Sequence, residues 1–320
     1  MDILRNIKDE LDCVIYHDPC QDGLSAAYVV YQWSKYCNRD LKLIPKRINN
    51  DPIDESLYED KNVLMVDIVT DDFEKIKEKA KNLVILDHHK TNQAKLVGIE
   101  YAYFDMHKSG VGLVWEYFYG NEEMPKFLGC IQDRDIWTWK IPESKAFCDG
   151  FYNMMYLDEE SNYDVRLNNK LALYDELYNE YINKKSDKFN SYCQIGDILN
   201  KIKMSQVKSM VRNTHLYKVK LTDHSELKAA VFNCTHDVAS DLGNYAVENT
   251  DADFAVMWRY NHDDEQYCYS LRSIDTKADV SKICKLFGGG GHRNAAGCAS
   301  KLHPKELFNY EKIEDENDEE

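Results

Sequence analysis

Short apolar runs recur through the first part of the chain, each closed by a polar residue and followed by helical spacing. Residues 11–16 (LDCVIY) form one such run, ending at His17. Leu24, Ala27, Val30 and Tyr31 then share one side of a 3.6-residue period and predict a helix over 24–33. Residues 63–66 (VLMV) read as a second buried strand, stopped by Asp67. Asp71 and Asp72 open a helix through Phe73, Ile76 and Ala80, where acidic residues suit the positive end of the helix dipole. Residues 84–86 (VIL) give a third strand, stopped by Asp87. Strands alternating with helices predict an α/β domain with a mainly parallel sheet and helices on both faces. In open sheets of this kind ligands bind at the carboxyl ends of the strands, where these polar residues lie. Ser109 before Gly110, with Val111, Leu113, Val114 and Tyr117 behind it, predicts a capped helix start.

From about 153 to 208 the pattern is helical and polar. Beyond His215 it changes again: 217–221, 227–233, 254–260 and 266–271 read as strands and 279–286 as a helix. The expected organisation is a first domain over 1–152, a helical connector over 153–208 and a smaller α/β domain over 209–310. A disordered tail is expected over 311–320, where seven acids accompany one lysine. The 320 residues suit two domains, each able to bury a core.

Charge narrows the function. Forty Lys plus Arg against 56 Asp plus Glu leave a net charge of −16, which repels the backbone of long nucleic acid. No apolar run approaches the roughly 20 residues of a membrane span. The first residues lack the basic start and apolar block of a signal peptide, so a soluble, cytoplasmic protein is expected. The ten cysteines are scattered singly and predict buried small side chains rather than a disulfide framework. Of these, Cys20 sits closest to candidate chemistry. Trp137 and Trp139 are expected in the core, base stacking being the rarer use.

Asp87-His88-His89 directly follows a predicted strand, so its neighbouring side chains diverge and can serve different partners. Asp67 ends the preceding strand, and His17 and Asp22 bracket the turn after the first. A mixed carboxylate and imidazole set on one sheet edge suits Mn²⁺ or a similar divalent ion. Near the other end, four consecutive glycines (288–291) precede His292 and Arg293. Glycines allow close backbone approach to an anion, and arginine grips phosphate bidentately.

These segments resemble the DHH phosphoesterases. Tyr16-His17-Asp18-Pro19-Cys20-Gln21-Asp22-Gly23, Val66-Asp67 and Asp87-His88-His89 look like the first three motifs of that family. The run from Leu128 to Asp133 is similar to the fourth, with Asp135 as a rival. Residues 287–297 (FGGGGHRNAAG) resemble the glycine-rich motif of its DHHA1 domain, and Ser270-Leu271-Arg272-Ser273 that domain's arginine-bearing strand. The superfamily includes RecJ-type exonucleases, nano-RNases, cyclic-dinucleotide phosphodiesterases and family II pyrophosphatases.

The resemblance implies that His17 and Asp67 hold one metal, and that Asp22, His88 and Asp133 hold a second, with Asp67 bridging. His89 would face the scissile phosphate and Asp87 would fix an imidazole tautomer. Arg272, Gly289, Gly290, Gly291, His292 and Arg293 would bind substrate from the second domain. Two divalent ions are implied, Mn²⁺ foremost, with Mg²⁺, Zn²⁺ or Fe²⁺ as alternatives. Members often carry Asp-x-Asp-Gly in the first motif; here Cys20 stands where the first aspartate would be, and Asp18, Cys20 or neither completes that site. The expected activity is hydrolysis of short oligonucleotides or small, including cyclic, nucleotides. Long nucleic acid is not expected as the main substrate, nor is a membrane partner. A RecJ-type exonuclease, a nucleoside-bisphosphate phosphatase and an inactive nucleotide sensor are the competing expectations.

Overall fold

A computed structural model describes residues 6–47, 52–90, 92–157, 160–221 and 226–313. The chain divides into two units between Leu199 and Asn200.

The first unit is built on β1 (Cys13–His17), α1 (Gln21–Tyr36), β2 (Lys42–Lys46), β3 (Asn62–Val66), α2 (Phe73–Lys79), β4 (Asn82–Asp87), α3 (Gln93–Leu96) and β5 (Ala102–Phe104). The helices α4 (Gly110–Tyr119), α5 (Lys126–Asp135), α6 (Ser144–Tyr156), α7 (Tyr163–Ile182) and α8 (Asp187–Arg212) follow. The five strands are all parallel in the order β2-β1-β3-β4-β5. This order places a topological switch point between β1 and β3, where doubly wound sheets open a binding crevice. Alternation along the strands splits the core. Val14, Tyr16, Leu64, Val66, Val84 and Leu86 face one layer of helices, and Cys13, Ile15, Val63, Met65, Leu83 and Ile85 face the other.

The 153–208 region is largely part of this core. Leu171, Tyr174 and Leu177 of α7 and Tyr192 of α8 are buried in the same cluster as Val14 and Tyr16. The boundary falls inside α8, within the stretch expected as a connector, whose polar helices hide one apolar stripe.

The second unit carries β6 (Leu216–Lys220), β7 (Glu226–Asn233), α9 (His236–Asn249), β8 (Phe254–Asn261), β9 (Gln266–Arg272), α10 (Val280–Leu286), β10 (Gly290–His292), β11 (Ala295–Ser300), α11 (Pro304–Leu307) and β12 (Tyr310–Lys312). Its seven-stranded sheet runs β10-β11-β9-β8-β7-β6-β12, with β7 and β8 parallel and the other pairs antiparallel. Glu311 and Lys312, expected in the tail, pair with β6; residues 314–320 lie outside the described residues. No described helix is long and apolar enough to cross a membrane. All ten cysteines are free.

Candidate metal centre

The carboxyl ends of β1, β3 and β4 deliver His17, Asp67 and Asp87-His88-His89 to the switch point. Asp67 is the hub. It is 1% exposed and sits just past β3 at φ 58°, a left-handed backbone unusual for a residue with a Cβ. Such strain gathers at functional sites, where the surroundings over-determine it. Its Oδ1 lies 3.1 Å from His88 Nε2, while its Oδ2 lies 3.4 Å from His17 Nδ1, so the two oxygens serve opposite sides. That second contact lacks hydrogen-bond geometry, leaving Asp67 Oδ2 and His17 Nδ1 buried and unpartnered. Burial opposes ionisation of Asp67, but His17 and His88 outweigh it and hold the carboxyl well below its ordinary range.

Asp22 reaches the same point from the first turn of α1. The start of α4 is folded around it: Ser109 Oγ and Val111 N donate to Oδ1 at 2.7 and 3.1 Å, and Gly110 N to Oδ2 at 2.5 Å. Glycine is required at 110, since a Cβ there would stand 2.6 Å from Asp67 Cβ and 2.8 Å from Asp22 Oδ2. The sequence marked Ser109 as a cap but carried no sign that this helix start grips a carboxylate 87 residues away. Burial, Asp135 and Asp67 still push Asp22 well above the usual carboxylate range.

The fourth motif holds two aspartates in different surroundings. Asp133, expected as a metal ligand, accepts from Thr138 Oγ1 at 2.6 Å, Lys140 N at 2.8 Å, Ile141 N at 3.0 Å and Ser144 Oγ at 2.6 Å. Those four donors saturate both oxygens. Against the pull of burial they lower its pKa to about 2. Asp135 instead lies 3.3 Å from His88 Nε2. Residues two apart on a helix cannot face the same way, so only one of this pair can meet the site. Asp133 ties down the 136–141 turn, where Trp137 and Trp139 both hold positive φ, 59° and 51°. Trp137 is 60% exposed rather than in the core, packed edge to face on Trp139 at 4.8 Å.

Asp133→Asn should therefore lower stability by about 1.5–3 kcal/mol, the range for hydrogen bonds to a charged group. Asp135→Asn should leave the melting temperature nearly unchanged and weaken metal binding. Thermal melts beside metal titrations check both. The reverse pattern would restore Asp133 as the ligand.

Three groups of donor atoms could each hold an ion: His17, Cys20 and Asp67; Asp67, His88 and His89; Asp22, His88 and Asp135, with atoms in each mutually within 4.8 Å. Among the described residues Cys20, not Asp18, joins His17. Asp18 lines a separate cavity of about 450 Å³ with Lys46, Arg47 and Tyr163. His88 is held protonated to about 9: burial opposes the charge, but Asp67, Asp22 and Asp135 override it. Three carboxylates converging on one imidazole, with two buried polar atoms unpartnered, are the surroundings a divalent cation fits. His89 Nδ1 is 2.9 Å from Asp87 Oδ1, and Asp87 also accepts from Asn92 Nδ2 at 2.9 Å. That pairing orients the His89 ring and leaves Nε2 free. Burial works against charging His89, but Asp87 and Asp67 raise its pKa overall.

In the second unit the glycine run is part hairpin. Gly290–His292 pairs with β11, and Gly291 (φ 139°) lies so close that a Cβ would meet Ala296 Cα at 2.6 Å. Arg293, expected on substrate, donates Nη2 to the carbonyls of Asp275 (2.7 Å) and Lys277 (2.9 Å), with Nη1 3.6 Å from Asp279. It holds the 275–279 loop in place. Arg272 donates to Ser240 Oγ at 2.9 Å and to its neighbour's carbonyl. Gly289, Gly290 and His292 stay on the exposed side of this unit or its half-buried edge.

The family model for the DHH family, N-terminal domain, matches residues 13–133. The chain is 32% identical to uncharacterized protein R106 of Acanthamoeba polyphaga mimivirus, over 96% of this chain and 72% of that protein. It is 25% identical to oligoribonuclease NrnB of Bacillus subtilis (strain 168), over 70% of this chain and 54% of that one, so it spans about half the length of that relative. Its fold is similar to that of RecJ in complex with Mn²⁺ from Thermus thermophilus, with a TM-score of 0.51, 13% identity and coverage of 94% of this chain and 51% of that chain. The chain belongs to the DHH family of phosphoesterases.

Proposed function

We propose that this protein is a metal-dependent phosphodiesterase acting on short oligonucleotides or small nucleotides. The observation that carries the reading is Asp67, whose two oxygens are turned to two different donor groups while one of them stays buried without a partner. Two divalent ions held there would supply an activated water and charge neutralisation for in-line attack on phosphorus. His17, Cys20 and Asp67 would hold one; Asp22, His88 and Asp135 the other. His89, fixed through Nδ1 by Asp87, would offer Nε2 to a phosphate oxygen or the leaving group. The relative NrnB is an oligoribonuclease, which supports a short nucleic acid as substrate. So does the net charge of −16, which disfavours a long phosphate backbone.

The test is a substrate panel of dinucleotides, 5-mers, cyclic dinucleotides and nucleoside bisphosphates, with and without Mn²⁺. Metal-dependent cleavage of the short diesters is expected. Binding without cleavage of any member, Mn²⁺ present, would replace the enzyme with a nucleotide sensor.

His89→Ala should lower turnover by about 10²–10⁴-fold, the usual worth of a proton-transferring side chain, and spare the metal content. His88→Ala should lose both, because His88 stands among three carboxylates and His89 leans on Asp87. Metal analysis of the two purified variants beside their rates decides; equal metal loss would dissolve the division of roles.

A further inference from the structure

We propose that Cys20 is a metal ligand, and that the His17–Cys20–Asp67 group takes a thiophilic divalent ion (Zn²⁺, Fe²⁺ or Co²⁺) in preference to Mn²⁺. The inference rests on the reading of this edge as a metal centre and gives one of its two positions a chemical identity. The Cys20 sulfur, a His17 ring nitrogen and an Asp67 oxygen lie mutually within 4.8 Å, around a single point. The other two members of this group carry the independent sign of a missing ligand. Asp67 Oδ2, on a side chain 1% exposed, and His17 Nδ1 are buried without a hydrogen-bond partner. Buried polar atoms are nearly always satisfied, so two orphans in one group call for a shared partner that neither can supply to the other. A cation is that partner.

Composition sets which cation fits. One thiolate, one imidazole and one carboxylate form a borderline-soft set typical of zinc, whereas oxygen-rich sets suit Mn²⁺ and Mg²⁺. The neighbouring group of Asp22, His88 and Asp135 has no sulfur and keeps the harder character. The two positions therefore differ in preference, and a mixed-metal centre follows. On binding, the Cys20 S–H proton is released to solvent and the sulfur donates its pair to the ion, with no change of oxidation state.

The experiment uses the full chain, stripped with a chelator and titrated with Co²⁺. A near-ultraviolet sulfur-to-cobalt charge-transfer band should grow in with the first equivalent, beside the weaker visible bands of cobalt bound by nitrogen and oxygen. Cys20→Ser should lose the charge-transfer band and keep visible bands from the harder position. Cys20→Asp should cut the Zn²⁺-over-Mn²⁺ preference, measured by chelator competition, at least about tenfold. Thermal melts of both variants report that the fold survives; if either unfolds, the wild-type band and its bleaching by excess Zn²⁺ still decide. Visible bands without the charge-transfer band, or a band that Cys20→Ser retains, would overturn the cysteine ligand while leaving the metal centre standing. No cobalt bound at all would overturn both.

Discussion

Asp67→Asn is expected to lower hydrolysis of a dinucleotide by more than about 100-fold even at saturating Mn²⁺. Loss of a group that only supports a ligand typically costs about 10–100-fold, and Asp67 stands directly between the two donor groups. Asparagine keeps the shape of the side chain and tolerates the left-handed backbone that residue 67 requires, so the β3 end should survive. What disappears is the negative charge that two cations need between them. An amide nitrogen would also be turned toward His17 or His88, both of which now face an acceptor. The same change should lower the pKa of His88 from about 9, since the bond to Asp67 is the largest influence holding it up against burial. Metal content, initial rate and an imidazole titration give three independent readouts. Near-normal turnover of Asp67→Asn, with metal content intact, would remove the bridging role.

The strands that build the site were legible in the sequence because their signal is local. An apolar run closed by Asp67 or by Asp87 is visible without knowing any neighbour, and the observed β3 and β4 end where those residues stand. The two outer strands were not. β2 is an edge strand with Pro45 within it, and β5 has only three residues, so neither carries a periodic pattern long enough to read. α9 was missed because its buried positions are small, Ala239, Gly243 and Ala246 among them, and leave a faint apolar stripe. At the site, residue type was informative and geometry was not. Asp133 and Asp135 are chemically identical in the sequence; what separates them is the set of four donors that converge on Asp133 from 138–144, a tertiary fact. Arg293 is a parallel case. An arginine after four glycines reads as an anion ligand, yet the carbonyls it meets lie 16 and 18 residues upstream. Cys20 read as a departure from a motif, with Asp18, Cys20 or neither left to complete the site, and the fold brings Cys20 together with His17 and Asp67.

Turnover is expected to fall at least about tenfold as single-stranded substrates lengthen from a dinucleotide to a 20-mer, with weak dependence on salt throughout. Each phosphate neutralised on a single strand contributes about −0.7 to the slope of log K against log salt, so one or two contacts give roughly −0.7 to −1.4. A groove tracking six phosphates would give about −4. The chain has few means of building such a groove: it carries a net charge of −16, and Arg293 in the glycine-rich region is bound to its own loop. Channels that hold long strands combine positive charge along the backbone with stacked aromatic side chains. Trp137, an exposed ring two residues along the chain from Asp135, offers a stacking face for one base rather than for a run of them. Initial rates on a length series at two or more salt concentrations separate the cases. Faster degradation of the 20-mer, with a slope steeper than about −3, would replace the short-substrate reading with a RecJ-type exonuclease that holds its substrate along many phosphates.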